Sequence, residues 1–418
     1  MPAYFLPADI LLPDFGVVNG TAYATVACDQ YTSDPEYWRE LSERVGAAPS
    51  TLRMILPEAF LPEAEARIPA VHKAMEDYLK SGLIRYPNSM IYLERTLSDG
   101  KVRRGLIGMI DLELYDYRPG AKSLIRPTEE TVPERIPPRL EVRRGAALEL
   151  PHVLLLLDDP GRSVIEPQAA RLSALTPAYD FPLLPGAGSV RAFFLDSIGI
   201  GRVTSALSRL VSPERQRQRY GAGCAPLLFA VGDGNHSLAV AKAAYEEVKA
   251  ELGEEALFHP ARYALAEVVN LYDPALRFEP IYRVLTGVDP DEVLSALENY
   301  SYAQHGTLPP QQIRFLSARR RGTMHFGHPS CPLPVDTLGH FLHGYLNTHP
   351  GAAVDYIHGA RTVEGLAAHE NTVGFLFEGL PKEKLFETVM NEGTLPRKTF
   401  SMGHAEDKRF YIEARRIR

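Results

Sequence analysis

Long apolar runs are missing from this 418-residue chain. The longest, HVLLLLDDP at 152–160, falls far short of the roughly 20 apolar residues that cross a bilayer, so no membrane role is expected. Cysteine is scarce: Cys28, Cys224 and Cys331 are widely separated and odd in number. That excludes a disulfide framework or a zinc knuckle and fits a reducing cytoplasm. A basic excess is lacking too, since 45 Lys and Arg against 52 Asp and Glu leave a net charge of -7. The mixed, acidic balance argues against nucleic acid as a partner. The opening MPAYFLPADILLPDF has no basic stretch and is broken by prolines and aspartates, so it does not read as a signal peptide. No internal repeat appears, and there is no GxxxxGK[ST], GxSxG or HExxH, nor a GxGxxG after a strand. Walker-type, Rossmann-type, hydrolase-elbow and zincin chemistry therefore have no support.

What is present describes an ordinary soluble globular protein, with 45% hydrophobic and 23% charged residues. The length predicts two lobes. We place them at 1–187, with a β-hairpin and a proline-rich arm, and at 188–418, the two forming one continuous unit. The boundary falls in FPLLPGAG (181–188). DPEYWRELSERVG predicts a helix capped by Asp34 with Pro35 in its first turn, and a second helix runs from Glu63 to Lys80 with Gly82 beyond its end. SMIYLERTLSDGKVRRGLIGMIDLELYDY reads as a hairpin turning at Ser98-Asp99-Gly100. LPHVLLLLDDP and PLLFAVGD read as buried strands.

Further hairpins are expected in ARYALAEVVNLYDPALRFEPIYRVL and QQIRFLSARRRGTMHFGH, a short helix in VDTLGHFLHGYL, and two short strands about a turn in the tail. IRPTEETVPERIPPRLEV carries four prolines, which exclude a regular helix or a central strand. The class is α+β or mixed α/β. The histidine pairs His325/His328 and His340/His343 lack a third ligand. His340 and His343 share a helix face with apolar residues, which predicts packing.

The chemistry gathers at PLLFAVGDGNHSLAVAKAAYEEVKAELG (226–253), where a buried strand meets a helix. Leu238, Ala241, Tyr245, Val248 and Leu252 keep helical spacing and Gly253 ends it. The first turn then falls at Asn235–Leu238, where free backbone N–H groups and the positive helix end can hold an anion. Gly232 and Gly234 allow close backbone approach. Asp233 offers a carboxylate for Mg²⁺ beside phosphates, and Asn235 and His236 can donate to phosphate oxygens. The same residues also suit a plain capped helix, with Asp233 or Asn235 as cap.

FAVGDGNHSLAVAKAAYEE resembles the ADGHHRYxxA signature of the bacterial and archaeal family known as domain of unknown function 1015. GLIGMIDLELYDY, SLIRPTEETVPERIPPRLEVRRGAALELPHVLLLLDDP, LRFEPIYRVL, YIHG and LPRKTFSMGHAEDKRFYIEARRI resemble it too, in the family's order. ACDQYTSDPEYW is similar to a clostridial-type branch. The signature in turn looks like the strand–turn–helix of the ParB and sulfiredoxin superfamily, some of whose members are kinases of free serine.

The resemblance implies a ParB/sulfiredoxin-like nucleotide-binding core with added hairpins and helices. It implies phosphoryl transfer from ATP or ADP, with Mg²⁺, to the hydroxyl of a small molecule such as free L-serine. Gly232, Gly234, Asn235, His236 and Ser237 would cradle phosphates and Asp233 would hold the metal. RPTEETVPER resembles an RHExT element: Arg126, one residue out of register, and Thr128 would serve phosphate, and Glu129 would be the general base. Arg397 and Lys398 match a lysine-bearing element of the tail. Ser237 stands where the signature has arginine, so another cation must grip phosphate. Asp29 could face the same cleft or simply turn the chain before the first helix. A metal-dependent phosphohydrolase using Asp233 and the histidines, and a non-catalytic nucleotide-binding regulator, are the rival readings. Assembly into a homo-oligomer is left open.

Overall fold

The Ser98-Asp99-Gly100 turn forms as its residues dictate. Gly100 adopts φ +80°, which suits glycine, and joins β1 (Ile91–Thr96) to β2 (Val102–Asp111). The computed structural model describes residues 4–418, and they divide into two compact units. The first takes the chain up to Leu276 together with Phe386–Thr394 and His404–Arg418; the second takes Arg277–Leu385 and Leu395–Gly403.

The first unit is built on an eight-stranded sheet. Besides β1 and β2 it contains β3 (Ile125–Pro127), β4 (Leu154–Leu157), β5 (Thr176–Pro182), β6 (Ser189–Phe194), β7 (Phe229–Asp233) and β8 (Tyr263–Asn270). Their order is β3-β7-β4-β8-β2-β1-β6-β5, with β7 parallel to β3 and antiparallel to β4. The class is mixed α/β. All four leucines of β4 are buried, as expected of a central strand covered on both faces. α1 (Pro35–Val45) starts at the Asp34 cap, and α2 (Ala64–Ser81) ends at Gly82. One face of the sheet carries a core around Trp38, Ile91, Ile107 and Leu265, the other a core around Leu155, Phe229, Val231, Leu238 and Tyr245.

Four expectations are corrected. The proline arm does contain a helix, α3 (Ile136–Arg143), because its prolines fall in the first turn, where no backbone donor is needed. Its Pro127 sits in β3, an edge strand, where a missing N–H is tolerated. The stretch 261–285 is not a hairpin: β8 lies in the first unit's sheet, and β9 (Glu279–Thr286) belongs to the second unit. The division accordingly falls at 276/277. The 183–188 segment is instead the turn of the β5–β6 hairpin, closed by the Leu183 N–H donating to the Gly188 carbonyl at 2.9 Å, and β6 leads into α4 (Ser197–Leu210).

The second unit has strands β9, β10 (Gln311–Leu316), β11 (Arg321–Phe326), β12 (Ala353–His358) and β13 (Thr372–Phe377), ordered β11-β10-β13-β9-β12. Leu285, Leu297, Ile313, Leu338, Phe341 and Phe375 form its core. The helix around GHFLHGYL runs over Pro334–Thr348, but His340 and His343 stand on its exposed side, contrary to the packing expected of them. Among the described residues, no helix is long and apolar enough to cross a membrane.

Candidate functional site

Apolar residues Phe229, Ala230 and Val231 bury β7 in the sheet, and Gly232 interrupts the pattern one residue before the strand ends at Asp233. Val231 pairs with Leu155 and Asp233 with Leu154, so Gly232 is an extra residue, a bulge that redirects Asp233. Gly234 then takes a left-handed φ of +78°, and α5 (Asn235–Leu252) begins at once. Val153 and His152 crowd this turn: a β-carbon on Gly234 would lie 3.1 Å from Val153 Cα and 3.4 Å from His152 Cδ2. No side chain caps α5. Its first carbonyl partner is taken up by the Leu238 N–H, which donates to the Gly234 carbonyl at 2.9 Å. The amides of Asn235, His236 and Ser237 thus form the uncapped positive end of an 18-residue helix.

The loop after β3 is fastened to this turn. The fully buried Thr128 hydroxyl donates to the Val231 carbonyl at 2.7 Å, and the Val132 N–H donates to His236 Nε2 at 3.3 Å. An imidazole nitrogen that accepts carries no proton, so this contact calls for the His236 tautomer with its proton on Nδ1. Glu129 is half-buried on the same loop. Two polar atoms here are buried without a hydrogen-bond partner, Asn235 Oδ1 and Thr131 Oγ1. α3 closes over the helix through Ile136 and Leu140 against Ala239 and Val240.

Asp233 is held from two sides. Its Oδ1 accepts from the Gly234 N–H at 3.0 Å, and its Oδ2 lies 3.1 Å from Lys408 Nζ. The tail brings that lysine in. Phe410–Tyr411 pairs antiparallel with Thr25–Val26, and the Ala27 N–H donates to the Arg409 carbonyl at 3.1 Å. Just beyond that pairing comes Asp29, whose side chain is 28% exposed with Oδ2 3.6 Å from the buried His152 Nε2. The other ring nitrogen, His152 Nδ1, is 2.8 Å from the Tyr411 hydroxyl. That hydroxyl also lies 3.1 Å from the Cys28 backbone nitrogen, which donates to it.

This geometry sets the charges. Burial alone would depress the His152 pKa, but Asp29 beside it, with a smaller contribution from Asp233, raises it above the ordinary 6.5. Burial would raise the Asp29 pKa, yet His152 and then Lys408 hold its carboxyl well below the usual carboxylate range. Burial pushes the Cys28 thiol up to about 12, so it is no nucleophile. The cluster is an ionised carboxylate, a readily protonated imidazole and a Lys–Asp pair gathered at a bare helix start. Such a place can bind an anion and hold or pass a proton.

Gly232, Asp233, Gly234, Asn235, His236, Ser237, Thr128 and Glu129 are thus brought to one turn. Arg126 departs from the expected phosphate role. Its guanidinium is buried and donates to the carbonyls of Ala225 at 2.9 Å and Pro226 at 3.0 Å. Arg397 and Lys398 belong to the second unit, where their carbonyls accept from Arg283 at 3.4 and 3.1 Å. Sequence reasoning missed Lys408, His152 and Tyr411. A signal for the tail exists in DKRFYIEARR, whose charged residues flank the apolar run Phe410–Ile412.

No protein of curated function matches the chain. Among solved structures it is similar to a free serine kinase in complex with AMP, at 11% identity and a TM-score of 0.38, covering 74% of this chain and 91% of that one. It is also similar to a conserved hypothetical protein from Pyrococcus furiosus (11%, TM-score 0.36, 76% and 96% covered). A third likeness is SbnI with C-terminal truncation from Staphylococcus aureus (10%, TM-score 0.34, 71% and 82% covered). These likenesses are distant. The model of a family described as "Protein of unknown function (DUF1015)" matches residues 12–412. That match runs through both compact units and across the glycine-bracketed turn, and the protein belongs to this family.

Proposed function

We propose that the protein transfers a phosphoryl group from ATP or ADP to the hydroxyl of a small molecule, with free L-serine the first acceptor to test. One observation carries this reading. The helix start at Asn235–Ser237 is uncapped, follows a left-handed glycine, and faces a Lys–Asp pair rather than a capping side chain. Phosphoryl transfer asks a protein mainly to position its substrates and to neutralise charge. The amides of Asn235, His236 and Ser237 take phosphate oxygens, and the buried, unpartnered Asn235 Oδ1 offers a donor-bearing ligand an acceptor. Among the described residues no three His, Cys, Asp or Glu side chains gather as metal ligands. Mg²⁺ bound here would therefore share Asp233 with phosphate oxygens, and it would supply charge neutralisation.

Glu129 accepts the proton of the attacking hydroxyl, and His236 braces the Glu129 loop through the Val132 amide. Asp29 is the competing carboxylate, and Glu129→Gln against Asp29→Asn separates the two. The test is incubation of the protein with ATP or ADP and L-serine, then with a panel of hydroxylated metabolites, read by phosphorus NMR and mass spectrometry. Phosphoserine is the expected product. Failure of every acceptor with both nucleotides refutes catalysis, and nucleotide binding without turnover would favour the regulatory reading.

A further inference from the structure

We propose that Lys408 is the phosphate-gripping cation of this site, held on Asp233 until an anion arrives. The inference rests on reading the start of α5 as an anion site. Asp233 places a negative charge directly before the amides that would receive a phosphate, and on its own it would oppose one. Lys408 Nζ, 3.1 Å from Asp233 Oδ2, cancels that charge. An ammonium group has three donors, so it can contact a carboxylate and phosphate oxygens together.

The backbone around Lys408 is fixed on both sides. The Asp407 carboxylate accepts from the Ser98 N–H at 2.8 Å and the Ser98 hydroxyl at 3.1 Å, and its carbonyl accepts from Arg103 at 3.1 Å. Arg409 is ion-paired to Glu267 at 2.7 Å and Glu413 at 2.6 Å in the core. Between these anchors the Lys408 side chain is only 12% exposed and Asp233 23%. A lysine withdrawn this far from water loses solvation, which ion pairing offsets only in part. A phosphate at this helix start would bring it further oxygen partners. A flexible stem on a rigid base lets the ammonium swing from the carboxylate to the ligand without moving the chain.

Calorimetric titration of the intact wild type, Lys408→Met and Lys408→Arg with pyrophosphate, ATP and adenosine tests this. Lys408→Met is expected to weaken pyrophosphate and ATP at least tenfold while adenosine stays within twofold, and Lys408→Arg is expected to recover most of the loss. Equal pyrophosphate affinity in Lys408→Met and wild type overturns the proposal. So does a parallel loss of all three ligands in Lys408→Met together with unrecovered binding in Lys408→Arg, which marks a purely structural lysine. A wild type that binds pyrophosphate through Lys408 but makes no phosphorylated product sinks the kinase reading and leaves this one standing. Product formation with unchanged Lys408→Met affinity does the reverse. A wild type that binds neither pyrophosphate nor ATP removes both.

Discussion

Replacing Gly234 by alanine probes the turn on which the site is built. The residue sits at φ +78°, ψ 27°, a left-handed conformation that costs an L-residue about 1–2 kcal/mol. The added β-carbon would also meet Val153 Cα at 3.1 Å and Val153 Cγ2 at 3.3 Å. The first of these is backbone next to a buried strand, so it yields poorly, and overpacking of this kind costs about 1–3 kcal/mol. Alanine recovers about 0.4–1 kcal/mol by stiffening the unfolded chain. The net expectation is a destabilisation of about 1–4.5 kcal/mol by these terms. Gly100→Ala supplies the control, because Gly100 has φ +80° but nothing within 4 Å of its β-carbon position, so it feels backbone strain alone. The only tryptophan, Trp38, is 1% exposed in the core of the first unit, and its fluorescence during urea unfolding reports on that unit. If Gly234→Ala costs no more than Gly100→Ala, the close approach of strand and turn is not real, and the anion cradle loses its geometry.

Two other perturbations bear on the parts that hold the site. Arg409→Met strands two carboxylates, Glu267 and Glu413, each 1% exposed, and is expected to cost about 3–5 kcal/mol in the same assay; a loss under about 1 kcal/mol would show that the pairing is not what docks the tail. The Asp29–His152 pair should give a pH-dependent contribution. Because the folded His152 pKa is raised above 6.5, its stabilisation is complete below that value and drains away as the pH climbs through the raised one. Asp29, shifted the other way, withdraws its share only in strong acid. The wild type should therefore exceed Asp29→Asn in stability most clearly near pH 6 and converge with it in alkali. An NMR titration of the His152 ring whose midpoint does not fall in Asp29→Asn would contradict this.

How far the sequence could be read depended on whether an interaction was local. Asp34 with Pro35, Ser98-Asp99-Gly100, and the five-residue stripe from Leu238 to Leu252 ending at Gly253 each encode their conformation within one turn or one helix face, and each formed as expected. The proline arm misled because the number of prolines was weighed above their position. Pro137 and Pro138 occupy the one part of a helix that tolerates them. The pattern of 261–285 showed two strands correctly but could not show that they join different sheets, since alternation says nothing of a strand's partner. Of the site, the GDGNHS turn was legible and its charged surroundings were not. Asp29, His152 and Lys408 are more than a hundred residues apart from one another: His152 comes in with β4 beside β7, and the pairing of Phe410–Tyr411 with Thr25–Val26 brings in the other two. The arginine expected at Ser237 pointed attention to Arg126 and Lys398, the nearest basic residues by motif. The fold instead brings a residue ten positions beyond Lys398 to Asp233.

The stitching of Phe410–Tyr411 onto Thr25–Val26 joins two segments far apart in the sequence, so this part of the fold cannot close until both have been synthesised. A chain lacking residues 404–418 holds neither the lysine nor the tyrosine of the cluster. Asp233 and His152 would stand without these partners, and the core of the first unit would lack Arg409, Ile412, Glu413 and Ala414.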